Sequence, residues 1–227
     1  MEGIAKLLNL FRIEVITASQ AFYTWKAINN IASSSREVHD ALNKNALSWN
    51  IIAHSLQSTF FITLGRLFDI HGKSFSIHAF LRACIDNIDQ FSKDYLRNRK
   101  MEDQKGNEPT WLKQYIEDAY VPVKRDFELL IVETSKQQKT YEKVYRPIRN
   151  QIIAHKDKET IDNVDKLFVE TKIEQIEDIL NFLYQIEMVI FDLLMNGHLS
   201  KIGDYASNEE TYVQKDIQDL LNKICVQ

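Results

Sequence analysis

The chain is poor in the residues that punctuate a backbone, with 6 glycines and 3 prolines among 227 residues. A β-sandwich or barrel needs many tight turns and therefore more of both, so an all-β architecture is excluded. Cysteine is as scarce: Cys84 and Cys225 stand alone, with no CxxC pair. That excludes a disulfide-stapled secreted domain and makes the reducing cytoplasm the expected location. No apolar run approaches the roughly 20 residues a bilayer requires. The most apolar late stretch, Met188 to Met195, is short and contains Asp192. An N-terminus carrying Glu2, Lys6 and Arg12, with no small-residue cleavage site after it, does not read as a signal peptide. Clusters of His, Cys, Asp and Glu at metal-ligand spacing are missing too. His71 and His78 lie seven apart across a helix start and read as surface or capping residues, so neither metal nor cofactor is expected.

What is present fits an all-α protein of ordinary composition, 44% hydrophobic and 26% charged. The 28 basic and 32 acidic side chains give a net charge of -4. This argues against general affinity for polyanions, so any nucleic-acid site has to be local.

Three helix starts are legible as capping boxes: Ser34-Ser35-Arg36-Glu37, Thr171-Lys172-Ile173-Glu174 and Ser207-Asn208-Glu209-Glu210. After the first, Leu42, Leu47, Trp49, Ile52, Leu56, Phe60, Leu64 and Phe68 recur at helical steps, which predicts one long helix from about Glu37 to Ile70 with a continuous buried stripe. Ser74 or Ser76 opens the next helix, which passes through Ile77, Phe80, Cys84, Ile88 and Phe91. The charged run from Arg99 to Pro109 is the best loop. A short helix follows from Trp111, and Pro122 suits the first turn of another through Phe127 and Leu130. Pro147 then either begins a helix or kinks one. From Thr171 the stripe Ile176, Ile179, Leu183, Ile186, Ile190 and Leu194 marks a core helix that ends near Gly197.

Charge is unevenly distributed. Lys136 to Lys158 holds seven basic side chains against Glu142 and Asp157, a net of +5, which leaves -9 for the rest of the chain. A solvated basic face is the plain reading of such an island. Within it lies Arg149-Asn150-Gln151-Ile152-Ile153-Ala154-His155. This string resembles the mark of the HEPN superfamily, an arginine followed directly by a polar residue and, after a short gap, a histidine; here the gap is five residues and Asn150 is the polar one. The wider strings Tyr145-Arg146-Pro147-Ile148-Arg149-Asn150 and Ala154-His155-Lys156-Asp157 are similar to the abortive-infection branch of that superfamily, the type-U phage-resistance proteins. Gly65-Arg66-Leu67-Phe68-Asp69, ahead of Ser76-Ile77-His78, is similar to the branch's other signature.

The resemblance covers about residues 46–194. It implies a HEPN-like up-and-down helical bundle in one domain over 1–227, with a core at about 35–196 and additional helices at 3–30 and 207–225. Arg66 and Asp69 then form a structural signature, read from their spacing as an ion pair at a helix end. In HEPN toxins paired with nucleotidyltransferase antitoxins, a tyrosine two residues after the motif histidine receives the modification. Asp157 stands there, so control by that route is not expected.

In a straight helix Arg149 and His155 would point about 120° apart, so one copy cannot focus both on one atom. His155 aligns instead with the stripe Tyr141, Val144, Ile148 and Ile152, which alone makes it a buried or capping histidine. If that stripe packed against a second copy, two Arg149 and two His155 would share a cleft. If Pro147 starts a helix, the free amides of Ile148, Arg149 and Asn150 would add an anion site.

What the resemblance implies chemically is metal-independent endoribonuclease activity of abortive-infection or toxin type. RNA supplies its own 2′-hydroxyl nucleophile, a histidine near neutrality moves protons, and an arginine stabilises the charged phosphorane. Arg149, Asn150 and His155 are the catalytic set, Asn150 orienting the histidine or the phosphate. Arg146, Lys156 and Lys158 would bind RNA, and Tyr145 could stack on a base. Expected partners are RNA and a second copy, with an antitoxin protein as a further candidate and no membrane. A non-catalytic HEPN module binding RNA, nucleotide or protein is the alternative.

Overall fold

The computed structural model describes residues 3–70, 75–102, 108–150 and 171–225. Among these every regular element is helical, and no helix is long and apolar enough to cross a membrane. In chain order they are α1 (Ile4–Ser34), α2 (Arg36–Lys44), α3 (Ala46–Leu67), α4 (Ile77–Asp86), a 3-10 turn (Ile88–Phe91), α5 (Lys93–Met101), α6 (Leu112–Asp118), α7 (Lys124–Thr140), a π turn (Tyr141–Tyr145), α8 (Arg146–Ile148), α9 (Ile173–Phe191), a second π turn (Asp192–Asn196) and α10 (Glu209–Cys225). They fall into two compact units, Met1–Ile13 with Phe68–Thr140 and Glu177–Ala206, and Glu14–Leu67 with Tyr141–Ile176 and Ser207–Gln227.

Serines cap these helix starts, but not in the predicted boxes: Ser34, the first box's capping position, ends α1 and donates to the Ile31 carbonyl at 3.1 Å, and Glu210 of the third box pairs with Lys26. Ser35 accepts from the Val38 amide at 3.3 Å and Ser76 from the Ala79 amide at 3.3 Å. Ser207 caps α10 through the Glu209 amide at 3.2 Å. Each satisfies one of the orphan donors of a helix's first turn.

The long second helix of the sequence reading is two helices. Asn45, at φ -127° and ψ 42°, ends α2, and its amide turns back to the Leu42 carbonyl. Of the predicted stripe, Phe60, Leu64 and Phe68 are buried and Trp49 and Leu56 pack partly buried against core residues, whereas Leu47 is 89% exposed; Ile51, on another face of α3, is 62% exposed. His54, although flanked by Ile51, Ile52 and Leu56, is also exposed. A 3.6-residue period shows which side chains share a face but not whether anything covers it.

In the first unit Phe11 stacks on Phe80 at 5.2 Å and Phe91 packs on Phe127 at 5.0 Å. The buried Glu187 carboxylate takes a 2.6 Å bond from Arg12 Nε, whose guanidinium also lies over the Phe191 ring. The predicted loop from Arg99 is shorter than its composition suggested, because α5 runs on to Met101 while Arg99 donates to the Leu194 and Gln90 carbonyls at 2.6 and 3.0 Å. Burial pushes the Cys84 thiol far above its ordinary pKa, which makes it a core side chain rather than a nucleophile.

Gly197 ends the helical run that α9 begins, as the sequence predicts. It does so in the left-handed region, at φ 58°. An added Cβ would stand 2.7 Å from both the Ala119 Cβ and Leu96 Cδ2. Gly197→Ala is therefore expected to lower stability by about 2–3 kcal/mol, combining left-handed strain with overpacking, as a denaturant melt would register.

The second unit is built on Phe22, edge-on to Phe60 at 5.4 Å, with Phe61 beyond it at 4.4 Å from Phe60. A second cluster joins Ile28 and Ile31 of α1 to Val38 and Leu42 of α2 and to Ile217 and Leu221 of α10. Lys26 and Glu210 pair at 2.6 Å beside it.

Candidate active site

Arg149 and Asn150, the described part of the motif, lie on a helical run that is unbroken from Lys124. From Lys124 the chain continues through the π turn at Tyr141–Tyr145 and α8 into residues 149–150, themselves in π geometry. Pro147 has no amide to offer the preceding turn, and its ring crowds the carbonyl four residues back. A widened turn relieves both demands, which accounts for a π segment immediately ahead of it. The helix-start reading of Pro147 fails accordingly. The Arg149 amide already bonds the Arg146 carbonyl, so there is no free helix end to bind an anion.

Arg149 packs into a notch on α3. Were Gly65 to carry a Cβ, it would lie 2.8 Å from Arg149 Nε, 3.3 Å from Arg149 Cδ and 3.1 Å from the Tyr141 hydroxyl. The two strings singled out in the sequence, one around Gly65 and one around Arg149, thus meet in space. Arg149 Nη1 donates to Asn150 Oδ1 at 2.7 Å, while Nε is buried with no hydrogen-bond partner among the described residues. Asn150 Oδ1 thus helps to hold the arginine's head, while His155 lies outside the described residues. A neutral amide leaves the guanidinium its full charge. Arg12, Arg66, Arg97 and Arg125, by contrast, each have a carboxylate beside them.

The remaining residues divide. His155, Lys156 and Lys158 lie outside the described residues. Arg146 makes a half-exposed pair with Glu142 at 3.5 Å. Such a pair is worth only a few tenths of a kcal/mol, so the arginine is readily diverted to another anion. Tyr145 does not line a surface. It is fully buried, its ring 6.4 Å from that of Phe61 and its hydroxyl directed at the Lys172 carbonyl (3.1 Å) and Gln175 Oε1 (3.2 Å), so it cannot stack on a base. Tyr141 and Ile148 are buried as well, so these two residues of the stripe pack within their own protomer, while Val144 is half-buried and Ile152 lies outside the described residues. Arg66 pairs with Glu14 of α1 through Nη2 at 2.8 Å and Nε at 3.1 Å, and also reaches Thr63. Asp69 falls beyond the end of α3, so the pair is not the intrahelical one the spacing suggested.

Sequence reasoning passed over Gly65 and Glu14. A glycine inside an apolar-periodic helix is a usable sign, since it weakens the helix and often marks a close approach. Glu14, 52 residues before Arg66, leaves no local signal.

Helical in every regular element among its described residues, the chain carries Arg149 followed directly by the polar Asn150, the opening of the HEPN mark. The family described as AbiU2 (HEPN_AbiU2) matches residues 1–223, and the chain belongs to it. It is an abortive-infection HEPN protein, and the matched span takes in α1 and α10 as well as the central helices. Among curated proteins and among solved structures no match is found.

Proposed function

We propose that the protein is a metal-independent endoribonuclease of abortive-infection or toxin type, acting at a site shared by two protomers. The observation that carries this reading is the state of Arg149: held by Asn150, packed against Gly65 and paired with no carboxylate among the described residues. A fixed cation with its charge intact is what stabilisation of a phosphorane requires. In the reaction the RNA 2′-oxygen attacks the adjacent phosphorus and gives its proton to one His155. The 5′-oxygen leaves with a proton from the second copy's histidine or from water, and the products are a 2′,3′-cyclic phosphate and a 5′-hydroxyl end. Arg146, Lys156 and Lys158 would hold flanking phosphates. Pairing of protomers has to use a surface other than the buried Tyr141 and Ile148. The first half of α3, with Leu47 and Ile51 exposed and no Lys, Arg, Asp or Glu from Asn45 to Gly65, offers one.

The test is cleavage of RNA in excess EDTA by the purified protein, with end-group analysis of the fragments. Cyclic phosphate and 5′-hydroxyl ends are expected. RNA that is bound and left whole would replace this reading with a non-catalytic binding module.

A further inference from the structure

We propose that Gly65 is a positioning residue for Arg149: the absence of a side chain there sets where the guanidinium stands. This rests on the nuclease reading for what Arg149 does, but not for where it lies. Gly65 lies within α3, and no turn or left-handed backbone requires a glycine at that point. Alanine is the better helix former. What glycine uniquely provides is space, because a Cβ would come 2.8 Å from Arg149 Nε and 3.3 Å from Cδ. Both atoms belong to the middle of the side chain, so relieving the contact displaces the whole guanidinium rather than bending its tip. The Tyr141 hydroxyl, 3.1 Å from the same point, limits escape on that flank. Asn150 grips the far end through Nη1. Glycine, tyrosine and asparagine together hold the arginine at its stem, at one side and at its head.

The test uses Gly65→Ala in the full chain with two readouts. The first is the Arg149 Nε–Hε resonance of 15N-labelled protein, assigned by its loss in Arg149→Lys. The second is kcat for RNA cleavage in EDTA. The resonance is expected to shift or broaden and kcat to fall on the order of tenfold to a hundredfold, as a displacement of about 1 Å in a positioned group does, with KM little changed. The melting temperature should not fall in proportion. An unmoved resonance, an unchanged kcat, or a loss of kcat that only tracks a lost folded fraction would each overturn the proposal. If Gly65→Ala alone prevents folding, Gly65→Ala with Arg149→Ala decides: the double variant should fold, because the Arg149 atoms are gone and only the Tyr141 hydroxyl, the tip of a side chain, remains near the Cβ, and its failure to fold would overturn the proposal. A wild type that leaves RNA intact while Gly65→Ala moves the resonance would sink the nuclease reading and leave the placement of Arg149 standing.

Discussion

Arg149→Ala is expected to fold normally and to cleave RNA about a hundredfold to a thousandfold more slowly than the wild type, the range seen when one preorganised donor to a developing anion is removed. Stability should change little. Among the described residues Arg149 Nε bonds nothing and the guanidinium's one partner is Asn150 Oδ1, of a half-buried residue, so water can take its place. Arg149→Lys should recover only part of the rate. It restores the charge without the planar fork and without the stem atoms that fill the Gly65 notch. His155→Ala should cost a comparable factor, because proton transfer by a positioned side chain contributes about a hundredfold to ten-thousandfold. Since the two residues act on one transition state, their double variant should be little slower than the worse single one. Initial rates in EDTA beside thermal melts decide the matter. Full activity in both single variants, with melting unchanged, would remove the motif from the chemistry.

The parts of this structure that were legible in the sequence are those governed by local rules. The caps at Ser35, Ser76 and Ser207 were readable to within a residue, because a hydroxyl two or three residues ahead of an amide is a short-range geometry. The end at Gly197 was readable because few other residues accept its backbone angles. Burial was readable only in part. Leu47 and Ile51 stand about 140° and 180° around α3 from Phe60, so helix phase already sets them apart, but phase does not say which face is covered. The break at Asn45 was missed because an asparagine at a helix end looks much like one on a solvated helix face. At the site, residue identities were legible and their relations were not. Arg149 and Asn150 stood out as a motif, but the contact of Arg149 with Gly65 spans 84 positions and the tie of Arg66 to Glu14 spans 52. Neither leaves a pattern in a window of one or two turns. Tyr145 shows the converse error, since an aromatic in a basic island invites a binding role until its exposure is known.

Tyr145→Ala is accordingly expected to act on the fold first, lowering stability by about 3–5 kcal/mol, the usual cost of truncating a large aromatic in a closed core. The ring is fully buried beside Phe61 and cannot be replaced by solvent without leaving a cavity. Tyr145→Phe separates the ring from the hydroxyl. It keeps the packing and removes only the bonds to the Lys172 carbonyl and Gln175 Oε1, and should cost about 1–2 kcal/mol. Those acceptors lie at the start of α9, 27 and 30 positions further along the chain, and His155 lies in the interval between. The hydroxyl thus ties together the two points from which the histidine-bearing segment departs and to which it returns. Removing that tie should slow RNA cleavage more than it slows RNA binding, because binding depends on charge while catalysis depends on where His155 stands. A base-stacking tyrosine would behave in the opposite way, with both variants melting like the wild type and RNA affinity falling for alanine but not for phenylalanine. Denaturant melts set beside KM and kcat for the two variants distinguish a buried anchor from an RNA contact.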